Sequence, residues 1–173
     1  TLDQNRPMHV FDADKIAGGS LTVRHATNGE SMMALNDKEY SFDPEMVVIA
    51  DSDRVASLGG IIGGAETGCS EDTVNVLVEA ALWNPSNIAR TGRKLGIHTD
   101  ARFRFERGTD SASAVDGLDI ATQYILDFCG GEPGEVHIAG QEPAWQKSIE
   151  CDVGMIERRG GMAAETAPAT AVL

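Results

Sequence analysis

The spacing of hydrophobic positions changes near the middle of the chain. From Gly19 to about Glu71 the apolar residues form short runs broken by turn formers. Leu21-Thr22-Val23-Arg24 and Met32-Met33-Ala34-Leu35 have strand character, and Asn36-Asp37-Lys38 turns the second run into Glu39-Tyr40-Ser41-Phe42. Met46-Val47-Val48-Ile49-Ala50 is apolar throughout and bounded by Asp43-Pro44 and Asp51-Ser52-Asp53, which predicts a strand buried on both faces. This half reads as a β-rich meander. The run Asn75 to Trp83 places Leu77, Glu79, Ala81 and Trp83 on one side and Val76, Val78, Ala80 and Leu82 on the other. Both sides are apolar, so an interior strand with a single carboxylate is expected.

Beyond Trp83 the period becomes helical. Asn84 is a suitable N-cap with Pro85 at the first helical position, which predicts a helix from Pro85 to about Leu95 stopping at Gly96. Thr99 or Asp100 caps a second short helix carrying Arg102 to Glu106. The longest helix is expected over Ser111 to Phe128, where Val115, Leu118, Thr122, Ile125 and Cys129 recur at three- and four-residue spacing before Gly130-Gly131; its other face is acidic. A linker with a proline follows from Glu142 to Gln146. After it, Ile149 to Val153 reads as a strand, Gly154 to Arg159 as a turn of helix, and Ala164 to Leu173 as the start of an alanine-rich helix. The division expected is 1–141 and 142–173, the segment from Ala164 to Leu173 being too short to bury its own face.

With 173 residues, 42% of them hydrophobic, the chain has enough apolar surface for a core. A formal net charge of -13 argues against nucleic-acid affinity arising from the overall field. The cations are unevenly placed, however: Arg90, Arg93, Lys94, Arg102, Arg104 and Arg107 crowd one span, and Asp110 to Glu142 contains none, so a local basic site stays open. Cys69, Cys129 and Cys151 are far apart with no C-x-x-C pair, which speaks against structural zinc or a disulfide framework and for a reduced, cytoplasmic setting. No apolar run approaches a membrane span, and the first residues do not read as a signal peptide.

Three features invite a chemical reading. The run Gly59-Gly60-Ile61-Ile62-Gly63-Gly64-Ala65-Glu66-Thr67-Gly68 matches neither the dinucleotide fingerprint nor the phosphate loop. Its glycines either let backbone approach a ligand or serve a bulged strand pair. Glu79 is either a ligand-facing carboxylate or the partner of a nearby arginine, since an unmet carboxylate in an apolar strand costs several kcal/mol. His9 is a site imidazole or a satisfied core histidine. His25, His98 and His137 have no partner at metal-ligand spacing, and no recognised nucleophile motif is present.

Taken in order, RPMHVFDADKI, GGIIGGAETGCSEDTVNVLVEAALWNPSNIARTGRKLGIHTDARFRFERGTD and FCGGEPGEV resemble the beta subunit of bacterial phenylalanyl-tRNA synthetase, over the module that bears its editing site. The tail from Ile149 resembles the opening of the next module. The resemblance implies an α+β fold, a layered mixed domain with a β-sandwich-like core and helices in its C-terminal half. It implies hydrolysis of tyrosine mistakenly joined to phenylalanine tRNA, with Glu79 recognising the tyrosine hydroxyl, His9 as the site histidine, and Gly60, Gly63 and Ala101 shaping the amino-acid pocket. Amides around Gly60 to Gly64 are expected to hold the substrate carbonyl. Neither metal nor cofactor is expected in this part; ATP and magnesium belong to the whole ligase. The implied partners are phenylalanine tRNA and a catalytic alpha subunit, in a heterotetramer of two alpha and two beta chains away from membranes. An alternative within the same subunit is a scaffold that docks tRNA without catalysing anything. The editing chemistry has a physical motive: an apolar pocket rejects an added hydroxyl by only about two orders of magnitude, whereas a pocket that hydrogen-bonds it rejects the analogue lacking it by about four to five.

Overall fold

The computed structural model describes residues 4–141, 143–144, 148–150, 152 and 154–161. The chain divides into two compact units, Thr1–Gly140 and Gln141–Leu173. The first is α+β, with strands β1 (His9–Asp12), β2 (Thr22–His25), β3 (Ser31–Met33), β4 (Glu39–Ser41), β5 (Val47–Ala50), β6 (Val55–Leu58), β7 (Ile62–Gly63) and β8 (Val76–Glu79), followed by helices α1 (Pro85–Leu95), α2 (Asp100–Phe105) and α3 (Ser113–Cys129). A four-stranded antiparallel sheet in the order β2-β5-β6-β7 is accompanied by the pairs β1-β8 and β3-β4.

Strand β5 carries the core on both faces, as its apolar run predicts. Val48 joins Met32, Ala34 and Leu58 with the helix-side residues Ile88, Ile97 and Phe105, while Ile49 packs with Phe11, Ile16 and Ala56. The two clusters lie on opposite faces of the sheet, the first towards α1 and α2 and the second towards the β1-β8 pair. The β3-β4 hairpin adjoins the β7 edge, where the Leu35 N–H donates to Gly63 O at 3.0 Å and the Ala65 N–H to Met33 O at 2.9 Å. In the hairpin, Asp37 takes a left-handed φ of 58°, a conformation Asp tolerates better than most residues, and the Ala34 N–H donates to Lys38 O at 2.9 Å.

The helix signals translate directly into hydrogen bonds. Asn84 Oδ1 accepts from the Asn87 N–H at 3.1 Å, and Gly96 closes α1 with a φ of 65°, which glycine adopts without a Cβ penalty. Thr99 Oγ1 accepts from the Arg102 N–H at 3.1 Å and donates to Ile61 O at 2.7 Å, so the cap of α2 is also tied to the loop after β6. Helix α3 starts two residues later than expected and fully buries only Gly117. Its entry is held by the buried Arg6, which donates to Ser113 Oγ at 2.9 Å, to Ala81 O at 3.0 Å and to Asp110 O.

Two expectations are corrected. The strand expected over Asn75 to Trp83 is four residues long and not interior: Val76 is 40% exposed. Strand β8 has one neighbour, β1, and a two-stranded sheet leaves an edge and part of a face to water. In the second unit, Ile149, Glu150 and Asp152 lie in no strand, Ile149 being well exposed with no strand described beside it. The helical turn is present as α4 (Gly154–Gly160), whose first N–H donates to Asp152 Oδ1 at 2.9 Å. Most of the linker, Glu142 and Trp145 to Gln146, and the helix start over Ala164 to Leu173 lie outside the described residues.

Candidate active site

His9 and Glu79 are directly opposed in the antiparallel register of β1 and β8. Opposed residues project on the same face with Cβ atoms about 4.5–5.5 Å apart, so topology joins two side chains far apart in sequence. They open onto a cavity of about 220 Å³. Pro7 and Met8 lead into it beside His9, the β6-β7 connection contributes Gly60 to Gly63, and α2 closes it with Ala101 and Phe105. All five residues singled out in the sequence, His9, Gly60, Gly63, Glu79 and Ala101, line this one cavity.

The glycine run proves to be shaped largely by two rings. A Cβ on Gly63 would lie 2.3 Å from His9 Cε1, and one on Gly59 would lie 2.6 Å from the Trp83 ring. Gly60 both turns the chain, at φ +66°, and sits against Trp83 Cδ1. The amides are not all available as expected: the Ile61 N–H donates to Leu58 O and the Gly64 N–H to Ala56 O. In the turn Gly59-Gly60-Ile61, Gly60 is left as the amide that donates to no backbone carbonyl among the described residues.

Glu79 lines the cavity and is not ion-paired, so the arginine-partner alternative is not the one adopted. Among the described residues its carboxyl makes no hydrogen bond or ion pair, and the candidate arginines are engaged elsewhere. Arg102 pairs with Glu106 at 3.0 Å, Arg104 with Asp100, and Arg107 with Glu106 at 3.0 Å. Burial without a countercharge pushes the Glu79 carboxyl up to about 7. His9 is shifted the other way, its imidazole made harder to protonate by desolvation. Its ring stands edge-on to Phe11 at 4.4 Å, and its buried Nε2 has no hydrogen-bond partner among the described residues. A neutral imidazole beside a carboxyl that exchanges its proton near neutrality can orient and polarise water.

One carboxylate and one imidazole do not make a donor set for ATP or magnesium, and no described group of three His, Cys, Asp or Glu residues is placed to hold a metal ion. No described helix is long and apolar enough to cross a membrane. Sequence reasoning missed Leu35, Ser57 and Phe105 in the cavity wall and Trp83 behind the glycines. Phe105 had a readable signal, four residues after Ala101 on the same helix face; the others come from tertiary packing.

Residues 1–130 match the B3/4 domain family, and the chain belongs to it. Among curated relatives, the Phenylalanine--tRNA ligase beta subunit of Rhodospirillum rubrum is 49% identical over 173 residues, all of this chain and 22% of that subunit. That of Nitrobacter winogradskyi is 51% identical over 158 residues, 91% of this chain and 19% of the subunit. That of Ruegeria pomeroyi is 50% identical over 162 residues, 94% of this chain and 20% of the subunit. The likeness to this subunit read from the sequence therefore holds along the chain, which spans about a fifth of these relatives' length.

Proposed function

We propose that the cavity hydrolyses the ester between tyrosine and phenylalanine tRNA, as the proofreading part of a longer ligase subunit. The observation that carries this reading is the Glu79 carboxyl, unpaired among the described residues, in an otherwise mostly apolar cavity beside His9. A bound phenol donates its O–H to that carboxyl; a bound phenylalanine ring leaves it desolvated and unpartnered, which is the source of discrimination. In the reaction a water oxygen bonds to the ester carbonyl carbon and the bond from that carbon to the ribose oxygen breaks. The ribose oxygen takes one of the water protons and the other leaves as the tyrosine carboxylate forms. His9 orients the attacking water or the terminal ribose, and the Gly60 N–H donates to the carbonyl oxygen as charge develops on it.

On this reading the partners are phenylalanine tRNA and the catalytic alpha subunit of a cytoplasmic heterotetramer, while ATP and magnesium serve ligation elsewhere in the assembly. The test compares release of tyrosine and phenylalanine from phenylalanine tRNA by the unaltered chain and by Glu79→Ala. The preference for tyrosine is expected to collapse in the variant. Unchanged selectivity would refute the role of Glu79, and an unaltered chain that releases neither amino acid would favour the scaffold reading.

A further inference from the structure

We infer that the outer face of helices α1 and α2 docks the single-stranded end of the RNA whose ester enters the cavity; the identity of that RNA end rests on the proofreading reading. Residues 85–107 hold six cations, Arg90, Arg93, Lys94, Arg102, Arg104 and Arg107, against two acids, Asp100 and Glu106. Asp43 and Glu45 lie against this face beside Lys94, with Asp43 also near Arg90, so the local excess is two positive charges in a chain of net charge -13. A polyanion is repelled by the rest of such a molecule and attracted to this face, which orients its approach.

Internal structure accounts for only part of the cluster. Arg102 is buried against Glu106, Arg104 is paired with Asp100, and Lys94 reaches Asp43 at 2.8 Å. Arg90 and Arg93 are exposed and make no ion pair among the described residues. A favourable interaction with the end of the helix dipole explains cations in the last turn of α1, namely Arg93 and Lys94. It does not explain Arg90 a turn earlier.

The second observation is on α2. Ala101 and Phe105 face the cavity, while Phe103 turns outward and is 54% exposed. The Arg107 guanidinium lies 3.6 Å from the centre of its ring and donates to Phe103 O at 2.7 Å. A solvent-facing aromatic capped by a planar cation offers two stacking surfaces for unpaired bases. This platform is one helix diameter, about 10 Å, from the cavity wall formed by the same helix.

The test uses a labelled hairpin RNA with a short single-stranded 3′ end and no amino acid attached, a blunt hairpin of the same stem, and fluorescence anisotropy over a salt series. The unaltered chain is expected to bind the overhanging RNA with affinity that falls with salt. Arg90→Ala with Arg93→Ala is expected to lower affinity about tenfold at low salt and to flatten the logarithmic salt slope by about 1.4, since each single-strand phosphate contact contributes about 0.7. Phe103→Ala is expected to weaken the overhanging RNA by at least about fivefold, the lower end of one lost stacking contact, and to leave the blunt RNA unchanged. Lys38→Ala, on the exposed hairpin turn, should change neither. Unaltered affinity and slope in the arginine variant, equal behaviour of the two RNAs in Phe103→Ala, or no salt-dependent binding by the unaltered chain would each overturn the inference. Hydrolysis of a tyrosyl ester of a single nucleoside separates the two proposals. Ester hydrolysis together with normal RNA binding by the variants removes the docking face alone, whereas no hydrolysis together with lost binding leaves the face standing and removes the proofreading reading.

Discussion

Gly63→Ala tests the fit between the glycine run and the imidazole. Gly63 does not have a positive φ, so alanine meets no backbone penalty and its only cost is steric. The added Cβ would lie 2.3 Å from His9 Cε1, 2.7 Å from His9 Nε2 and 3.0 Å from Leu35 Cδ1. The ring must move, and the adjoining cavity of about 220 Å³ gives it somewhere to go. Overpacking typically costs about 1–3 kcal/mol, and about 0.4–1 kcal/mol is recovered because alanine restricts the unfolded chain. A net loss of about 1.3 kcal/mol is expected at the middle of these ranges and about 2.6 kcal/mol at most, the middle value being roughly 3–5 °C in Tm at this chain length. Tyrosyl-ester hydrolysis should fall much further, by about a hundredfold, because displacing a positioned group by about 1 Å has that effect. Gly134→Ala, where a Cβ meets nothing within 4 Å, is the control. Melting and hydrolysis of Gly63→Ala indistinguishable from that control would refute the ring-on-glycine packing and the role given to His9.

Three further outcomes follow from the same geometry. Because the Glu79 carboxyl is pushed up to about 7 from an ordinary 4.5, the native state holds its proton more tightly than the unfolded chain, and this stability is full below about 4.5 and lost as pH rises through about 7. Relative to Glu79→Gln, the parent should lose at most about 3 kcal/mol across that window in urea titrations; parallel curves would mean a solvated carboxylate. Ala101→Trp should fill the cavity and stop tyrosyl-ester hydrolysis while the circular dichroism spectrum is retained, and undiminished hydrolysis would remove Ala101 from the pocket. Arg6→Ala strands acceptors at Ala81 and Asp110 and should cost about 2–4 kcal/mol, with faster amide exchange in the first turn of α3; equal stability and exchange would contradict its role as the anchor of that helix.

Local chemistry explains what was legible in the sequence. Asn84, Gly96 and Thr99 act through hydrogen bonds and dihedrals within a few residues of themselves, so the bounds of α1 and α2 could be read directly. The apolar run of β5 likewise declares two buried faces. The pairing of β1 with β8 has no such local signal: alternation says which side Glu79 shares with Leu77, not that His9 will stand opposite it. For the same reason the sequence could not decide between an arginine partner and a cavity for Glu79, since that depends on where Glu106 and Asp100 take the arginines. The glycines were visible, but their reason lies in Trp83 and His9, which approach them from other elements. Helix α3 shows the converse failure: its apolar spacing was clear, yet Val115 is 45% exposed, because periodicity defines a face without supplying anything to cover it.

On the proposed reading the Glu79 carboxyl, which meets no donor among the described residues, distinguishes tyrosine from phenylalanine through the phenol hydroxyl. A structure of the chain with a non-hydrolysable tyrosyl-nucleoside analogue measures it most directly. The ring is expected among Met8, Gly63 and Ala101, with the phenol oxygen about 2.5–3.0 Å from a Glu79 carboxylate oxygen. A ring bound outside the cavity, or a hydroxyl held by another group with Glu79 turned away, would contradict it.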